Sequence, residues 1–273
     1  MVAVIWKNIK EEIMINQLRY TNRINGFLRL IRVEDYFTFT QLVIGYVLAG
    51  GDNMGYLFGT LAILAPCIYG GLYSLNDVHD YAADRQHPFK RSRPIAAGTI
   101  SPQTGFLLGV GLIGIGIGIA FMFDPKVLAL ALLFLIINLT YTFRIKRIPY
   151  LEIIFNTITH PLRFAAGLWL AGGGGHWVLL AVWTLAVFAL SVLKRIKEMR
   201  EASMEARPVL KHYTERGLKT LIIVSMALML GLWPFTTGWD FILTDVWLVF
   251  SLLTIVGYFY IPFIKRLEDY CWR

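Results

Sequence analysis

The sequence predicts an all-α integral membrane protein with about eight transmembrane helices. Of its 273 residues, 56% are hydrophobic and only 16% are charged, a balance that a water-exposed surface could hardly carry. A membrane helix needs roughly 20 mostly apolar residues, and such windows follow one another along most of the chain. The connections between them also alternate in charge, as expected of a chain that crosses a bilayer repeatedly.

The first segment differs from the rest of the chain. Residues 1–33 mix apolar positions with eight charged ones and lack the short charge-free core of a signal peptide. We therefore expect an amphipathic N-terminal segment on the membrane surface. No later hydrophilic stretch is long enough for a separate soluble domain, so residues 34–273 are predicted to form a single transmembrane domain.

Eight apolar windows supply the predicted transmembrane helices, numbered one to eight in chain order. They cover residues 36–51, 54–76, 104–123, 127–143, 150–171, 177–193, 218–236 and 242–263.

The connections between the windows predict the orientation in the membrane. The segments around 51–53, 124–126, 172–176 and 237–241 contain Lys126 as their single Lys or Arg, whereas the alternate connections are crowded with cations. Basic residues collect on the cytosolic side, and an even number of spans then places both termini in the cytosol. This topology puts 24 of the 26 cations on one face, so the formal charge of +8 does not indicate nucleic-acid binding.

Helix two ends in a stripe of carboxylates. Asp77, Asp80 and Asp84 stand at i, i+3 and i+7 on one helical face, and Asn76 joins them through its i+4 relation to Asp80. Such acids at a membrane boundary are costly without a cation, which disfavours a merely solvated helix end. Mg²⁺ is typically held by one or two carboxylates together with substrate phosphates. We therefore predict a Mg²⁺-diphosphate site with these four residues as metal ligands.

A basic loop follows the acids. Arg85, Lys90, Arg91 and Arg93 could clamp phosphoryl oxygens. The same residues would also suit an ordinary positive-inside loop, and the sequence leaves both interpretations open.

These motifs resemble a known signature. The pattern Asn76-Asp77-x-x-Asp80-x-x-x-Asp84, followed by Arg91-x-Arg93-Pro94-x-x-x-Gly98, is similar to that of the UbiA superfamily of intramembrane prenyltransferases and their relatives. The helix count and Tyr141-x-x-x-x-Lys146-Arg147 after helix four extend the resemblance over nearly the whole chain. It implies a helical bundle around a central cavity, Mg²⁺ on the acidic motif, and a polyprenyl chain lying within the membrane.

The segment after helix six departs from the usual pattern. Typical prenyl-transferring members carry a second Asp-rich motif there for a second Mg²⁺, but this chain has no aspartate from Lys194 to Lys219. Lys194, Glu198 and Glu201 share a face instead, with Arg195 nearby. A motif that mixes cations with acids would hold phosphate directly. A positive-inside loop with i,i+4 ion pairs is the alternative.

The Lys-Arg-x-x-Glu arrangement, together with the extended first motif, resembles the branch that contains decaprenyl-phosphate phosphoribosyltransferase. This resemblance implies a phosphoribosyl diphosphate donor, a polyprenyl phosphate acceptor and diphosphate as the leaving group. We expect catalytic roles for Asp77, Asp80, Asp84, Lys194 and Glu198. The expected substrate-binding residues are Asn76, Arg85, Lys90, Arg91, Arg93, Tyr141, Lys146, Arg163, Arg195 and Glu201.

Arg163 is predicted to lie within helix five, a turn or more into the membrane from its cytosolic end. An intramembrane arginine normally faces the protein interior and has a partner. We expect that partner to be a phosphate or one of the acids, and a purely structural salt bridge is the alternative.

Three other functions are alternatives to this one. An ordinary prenyltransferase would move a prenyl group from its diphosphate to an aromatic or glycerol-type acceptor, but the absent second Asp motif argues against it. A transporter or channel would need charges through both leaflets, whereas the motif residues gather at one face. A scaffold that binds anionic lipid through its basic loops would not need the acids.

Overall fold

The computed structural model describes residues 24–87, 90–201 and 208–260. This part of the chain is helical, with short turns and 3₁₀ segments between the helices and no β-strand, so the predicted all-α class is confirmed. A helical stretch over 24–30 precedes the helices that we label α1 to α8. Their bounds are Thr40–Leu48, Met54–Gln86, Pro102–Phe123, Pro125–Phe143, Leu151–Leu170, Trp177–Glu201, Glu215–Leu232 and Gly238–Tyr260.

Among the described residues, six helices are long and apolar enough to cross a membrane: α2, α3, α4, α6, α7 and α8. The chain is therefore a multi-pass membrane protein. Helix α1 has only nine residues after the 3₁₀ helix Val33–Phe39. Helix α5 has 20 residues, but Glu152, His160 and Arg163 lower its hydropathy. The count of eight spans stays a prediction.

Side-chain caps fix where the outer helices start. Ser101 Oγ accepts the N–H of Thr104 at 3.1 Å at the beginning of α3, and Asp124 Oδ1 accepts the N–H of Lys126 at 2.7 Å at the beginning of α4. A proline follows each capping residue at the first helical position, where its missing N–H has no cost.

Helix α2 consists of two α-helices, Met54–Ala62 and Gly70–Gln86, joined by the π-helical segment Ile63–Tyr69. Pro66 lies in that segment, and it cannot donate the backbone hydrogen bond that a regular helix requires. The α-helix resumes at Gly70 and carries the predicted acids to its end.

Helix α5 is held in the bundle by a close backbone approach to α1. A Cβ on Gly45 would lie 2.2 Å from the carbonyl oxygen of Phe164, and one on Gly167 would lie 2.1 Å from that of Leu42. Only glycine fits these two positions. Because α5 also contacts α4 and α6, its polar residues face the interior of the bundle.

Candidate active site

Asp77 lies between two arginines. Its Oδ1 accepts hydrogen bonds from Arg32 Nη2 at 3.0 Å and from Arg93 Nη1 at 3.1 Å. The side chain is only 2% exposed, and its Oδ2 has no hydrogen-bond partner among the described residues. One carboxylate oxygen is thus neutralised, whereas the other is buried and available to a ligand.

Arg93 links the first and last acids of the stripe. Its Nη1 also donates to Asp84 Oδ2 at 2.8 Å, so Asp77 and Asp84 face the same side of α2, as predicted. Arg85 turns back toward the loop, where its Nε donates to the carbonyl oxygen of Ala96 at 3.2 Å. Arg91 lies exposed on the adjoining 3₁₀ turn, Lys90–Ser92.

Asp80 faces the end of α4. It forms an ion pair with Lys146, and its Oδ1 lies 2.8 Å from His79 Nδ1. A second hydrogen bond links α4 to α2: Thr142 Oγ1 donates to Asn76 Oδ1 at 3.3 Å. The acidic stripe and the predicted Tyr141–Lys146 motif therefore meet in the structure.

The described residues contain no group of three or more His, Cys, Asp or Glu side chains placed to hold one metal ion. Each of the three aspartates faces a cation instead. The oxygen donors still suit Mg²⁺ in chemical type, and the unpartnered Asp77 Oδ2 is an atom that a cation would satisfy.

A second polar cluster joins the ends of α5 and α6. Arg195, 2% exposed, donates from Nε and Nη2 to both oxygens of Glu152, at 2.6 and 2.7 Å. Its Nη1 donates to Glu198 Oε2 at 2.9 Å. Glu152 itself is completely buried. The predicted substrate-binding residue Arg195 is thus surrounded by acids, and its contact with substrate stays a prediction.

Tyr213 extends this cluster to the segment before α7. Its hydroxyl donates to Glu152 Oε1 at 3.0 Å and accepts the backbone N–H of Tyr150 at 3.0 Å. Burial raises the pKa of Tyr213 to about 12, so it stays a hydrogen-bond donor at neutral pH. Tyr150 has a φ of 62°, a conformation that is costly outside glycine. The hydroxyl therefore fastens a strained turn to the buried carboxylate.

The other predicted residues of α6 lie beside this cluster. Lys194 and Glu198 are half-buried and both have interaction partners. Tyr141 of α4 interacts electrostatically with Arg195. The side chain of Glu201 lies outside the described residues, as does residue range 1–23 of the predicted N-terminal segment. The end of α4 and the 3₁₀ turn Ile145–Arg147 that follows it consequently lie between the two polar motifs, with Lys146 at the first and Tyr141 beside the second.

Arg163 is buried in the middle of α5, with 3% of its surface exposed. Its guanidinium carbon lies 4.5 Å from the ring centroid of Tyr69 and 5.0 Å from that of Phe39. Its Nε and Nη1 have no hydrogen-bond partner among the described residues. Among the described residues, the structure therefore places aromatic rings, and no carboxylate, against this cation.

Several residues of the site escaped the sequence analysis, among them Arg32, Glu152 and Tyr213. Arg32 was included only in the N-terminal segment, because its contact with Asp77 depends on a left-handed turn at Arg32, with φ 53°. Glu152 gave a weak signal as an acid near the start of an apolar window, but its partner Arg195 lies 43 residues away.

Comparison with known proteins identifies the class. The sequence profile of the UbiA prenyltransferase family matches residues 38–270, and the chain belongs to that family. It is therefore a transferase of the UbiA superfamily, which confirms the predicted family.

Individual proteins of known name are also similar to this chain. The chain is 26% identical over 233 residues to decaprenyl-phosphate phosphoribosyltransferase of Mycolicibacterium smegmatis, covering 79% of this chain and 72% of the relative. It is 31% identical over 175 residues to the Mycobacterium tuberculosis protein of the same name, covering 60% of this chain and 56% of that relative. It also matches nodulation protein NoeC of Azorhizobium caulinodans, with 28% identity over 170 residues, 60% of this chain and 55% of the relative.

Solved structures support the fold. A UbiA homolog from Archaeoglobus fulgidus bound to GPP and Mg²⁺ aligns with a TM-score of 0.68 at 16% identity, covering 84% of this chain and 85% of that one. A structure of digeranylgeranylglyceryl phosphate synthase aligns with a TM-score of 0.62 at 16% identity, covering 90% and 95%.

Proposed function

We propose that this protein is a Mg²⁺-dependent transferase that moves phosphoribosyl from phosphoribosyl diphosphate to a polyprenyl phosphate and releases diphosphate. The observation that carries this proposal is the cluster at the end of α6. Where a second Asp-rich motif would stand in an ordinary prenyltransferase, Lys194 and Arg195 stand with Glu198. Two substrates that together carry four phosphate groups require additional positive charge. The names of the mycobacterial relatives support the same transferred group and the same kind of acceptor.

The acids of α2 would hold the metal, with Asp77, Asp80 and Asp84 as carboxylate ligands and Asn76 as a further oxygen donor. Bound Mg²⁺ would supply positive charge to the diphosphate leaving group. Arg85, Lys90, Arg91 and Arg93 would add positive charge on the loop side, and Lys146 on the α4 side. Arg32, which the structure places against Asp77, joins this set.

The chain's residues would act mainly by positioning and electrostatics. The bond between the anomeric carbon and the diphosphate oxygen breaks, and an oxygen of the lipid phosphate bonds to that carbon from the opposite face, with inversion. No strong general base is needed, because a phosphate monoester is already anionic. Lys194, Tyr141 and Arg163 would bind phosphate or ribose groups, while Glu198 orders the cations or a ribose hydroxyl.

Arg195 would act through its neighbours. With its nitrogens bonded to Glu152 and Glu198, it fixes the position of Glu198. Glu201 would complete the same face of α6.

We also propose that the site opens to the cytosol, where a soluble, charged donor would enter. The positive-inside distribution supports this orientation, with both termini on the same side. Residues 34–273 would form one catalytic domain behind an amphipathic segment, 1–33.

An ordinary prenyltransferase is the second candidate. It is favoured by the A. fulgidus homolog, which was solved with GPP and Mg²⁺ bound and shares the fold. This function would keep the acidic motif and its metal, but its prenyl donor would bring one diphosphate to the site, where the proposed substrates bring four phosphate groups.

A paired assay with purified protein separates the two candidates. Labelled phosphoribosyl diphosphate is offered with a polyprenyl phosphate, and geranylgeranyl diphosphate is offered in parallel with aromatic acceptors. We expect Mg²⁺-dependent chloroform-soluble label from the first pair, abolished by Asp80→Asn. Product from the second pair alone would reject the phosphoribosyl donor.

A further inference from the structure

One face of α2 carries a row of three polar side chains that leads from the acidic motif toward the middle of the helix. Tyr69, Tyr73 and Asp77 stand at successive i,i+4 positions and share that face. Two arginines lie along it. Arg32 contacts Asp77 and lies 4.7 Å from the ring centroid of Tyr73, and Arg163 lies 4.5 Å from that of Tyr69. The two arginines therefore lie beside consecutive turns of the same face of α2.

The deeper cation differs from the outer one in its partners. Arg32 is paired with Asp77, whereas Arg163 has no carboxylate or hydrogen-bond acceptor on Nε or Nη1 within the described residues. Arg163 lies 12 residues from the start of α5, about 18 Å along the helix. Cations at this depth normally pair with an anion, and two aromatic faces supply only part of that stabilisation.

The ring that lies against this cation carries a further unsatisfied group. The hydroxyl of Tyr69 is buried and has no hydrogen-bond partner in the described part of the chain. On the other side, His160 lies within electrostatic range of both Arg163 and Lys194. An anion at Arg163 would thus find one hydroxyl donor, from Tyr69, and a second cation, Lys194, beyond His160.

We propose that Arg163, with the hydroxyl of Tyr69, forms a phosphate-monoester subsite at the inner end of the site, separate from the diphosphate site at the acids. The identity of its ligand rests on the proposed function. Asp77 follows Tyr69 by eight positions, or about 12 Å along α2, so one substrate group can bind at each end. Two sources offer this chemistry, the 5-phosphate of the donor and the phosphate of the acceptor lipid.

The subsite would also act as a specificity determinant. A prenyl diphosphate and an aromatic acid place no phosphate monoester at this depth, so an enzyme for those substrates would leave Arg163 uncompensated. A phosphate monoester compensates it, because its oxygens accept hydrogen bonds from guanidinium and hydroxyl donors.

Binding is tested first, without turnover. The thermal midpoint of the full chain in detergent is measured with ribose 5-phosphate, or with ribose as the uncharged control, in EDTA. We expect ribose 5-phosphate to raise the midpoint of the wild-type protein and of Arg216→Met, an exposed control, but not that of Arg163→Met. An undiminished rise in Arg163→Met would overturn the subsite.

A measurement on the wild-type protein makes the test independent of whether that variant folds. Crystals grown in a lipid phase are soaked with tungstate, a heavy analogue of phosphate. An anomalous peak at the Arg163 guanidinium supports the subsite, and peaks confined to the loop cations Arg91 and Arg93 contradict it.

Kinetics then identifies the source of the phosphate. Arg163→Met should raise one KM by at least about tenfold, that of phosphoribosyl diphosphate if the 5-phosphate binds there, or that of the lipid if the acceptor phosphate does. Arg163→Lys should recover part of the loss. Unchanged KM values in an active enzyme would reject the subsite and keep the proposed function. Absence of phosphoribosyl transfer in the wild type, with Arg163-dependent binding of ribose 5-phosphate, would reject the function and keep the subsite.

Discussion

Asp77 and Glu152 are both buried carboxylates of the site, but they differ in their bonding and therefore in their roles. Asp77 uses one oxygen to bind Arg32 and Arg93, and its other oxygen is unpartnered among the described residues. Glu152 has donors on both oxygens, from Arg195 and Tyr213. Asp77 can therefore still accept a ligand, whereas Glu152 is committed to holding the structure together.

Glu152→Gln should destabilise the protein by about 3 kcal/mol, because it breaks a fully buried ion pair and leaves Arg195 without its main partner. The free energy of unfolding in mixed micelles measures the effect. Glu215→Gln is the matched control: its pairs with Arg200 and Lys219 are exposed, so its loss should cost at most about 1 kcal/mol. Equal costs for the two variants would contradict the assigned role.

Arg32→Met should lower kcat/KM for the donor by at least about tenfold, since a hydrogen bond to a charged group contributes about 1.5–3 kcal/mol. Arg29 provides the control, because in the part of the chain that the structure describes its guanidinium donates only to the backbone carbonyl of Ser92, at 3.3 Å. Arg29→Met should change kcat/KM by less than about threefold. Similar losses in both variants would show that Arg32 has no special relation to Asp77.

For single residues, the sequence predicts which side chains belong to the site better than it predicts which side chains they contact. The period of an α-helix is enough to place Asp77 and Asp84 on one face, and the structure joins both to Arg93. The same argument could not show that Asp80 faces Lys146, because that contact depends on how α4 packs against α2.

Among the helices, α5 depends on a backbone contact that only glycine allows. Gly167→Ala would place a methyl group 2.1 Å from the carbonyl oxygen of Leu42, so α1 and α5 would have to separate. We expect a loss of about 1–3 kcal/mol in the free energy of unfolding and reduced activity, since α5 carries Arg163 and Glu152.

The control for this change is Gly118→Ala on α3, where an added Cβ meets nothing within 4 Å. That variant should be neutral or more stable by up to about 1 kcal/mol, because alanine favours a helix over glycine. A neutral Gly167→Ala would show that the α1–α5 contact is looser than the structure indicates.

The sequence predicted the strongly apolar helices well and the polar ones less well. Helices α3 and α4 begin directly after their capping residues, close to the first residues of the predicted windows. Helix α1 is shorter than its window, since residues 33–39 form a 3₁₀ helix. The break in α2 has its signal in Pro66, yet the sequence alone does not distinguish a π-helical segment from a kink.

For the whole molecule, the charge distribution predicts which loops face the cytosol. We expect a cysteine at Lys211 to be shielded from a membrane-impermeant maleimide in intact cells, and one at Gly174 to react, in a protein with Cys67 and Cys271 replaced by alanine. The reason is the positive-inside rule. Labelling of position 211 and not 174 would invert the proposed topology.

The central claim is that a sugar phosphate, and not a prenyl group, is transferred. Mass spectrometry of the lipid extract tests it most directly, after purified protein has been incubated with Mg²⁺, polyprenyl phosphate, phosphoribosyl diphosphate, geranylgeranyl diphosphate and an aromatic acid together. We predict that polyprenyl-phosphoryl-5-phosphoribose forms and that Asp77→Asn abolishes it. A prenylated aromatic product, with the polyprenyl phosphate unchanged, would contradict the account.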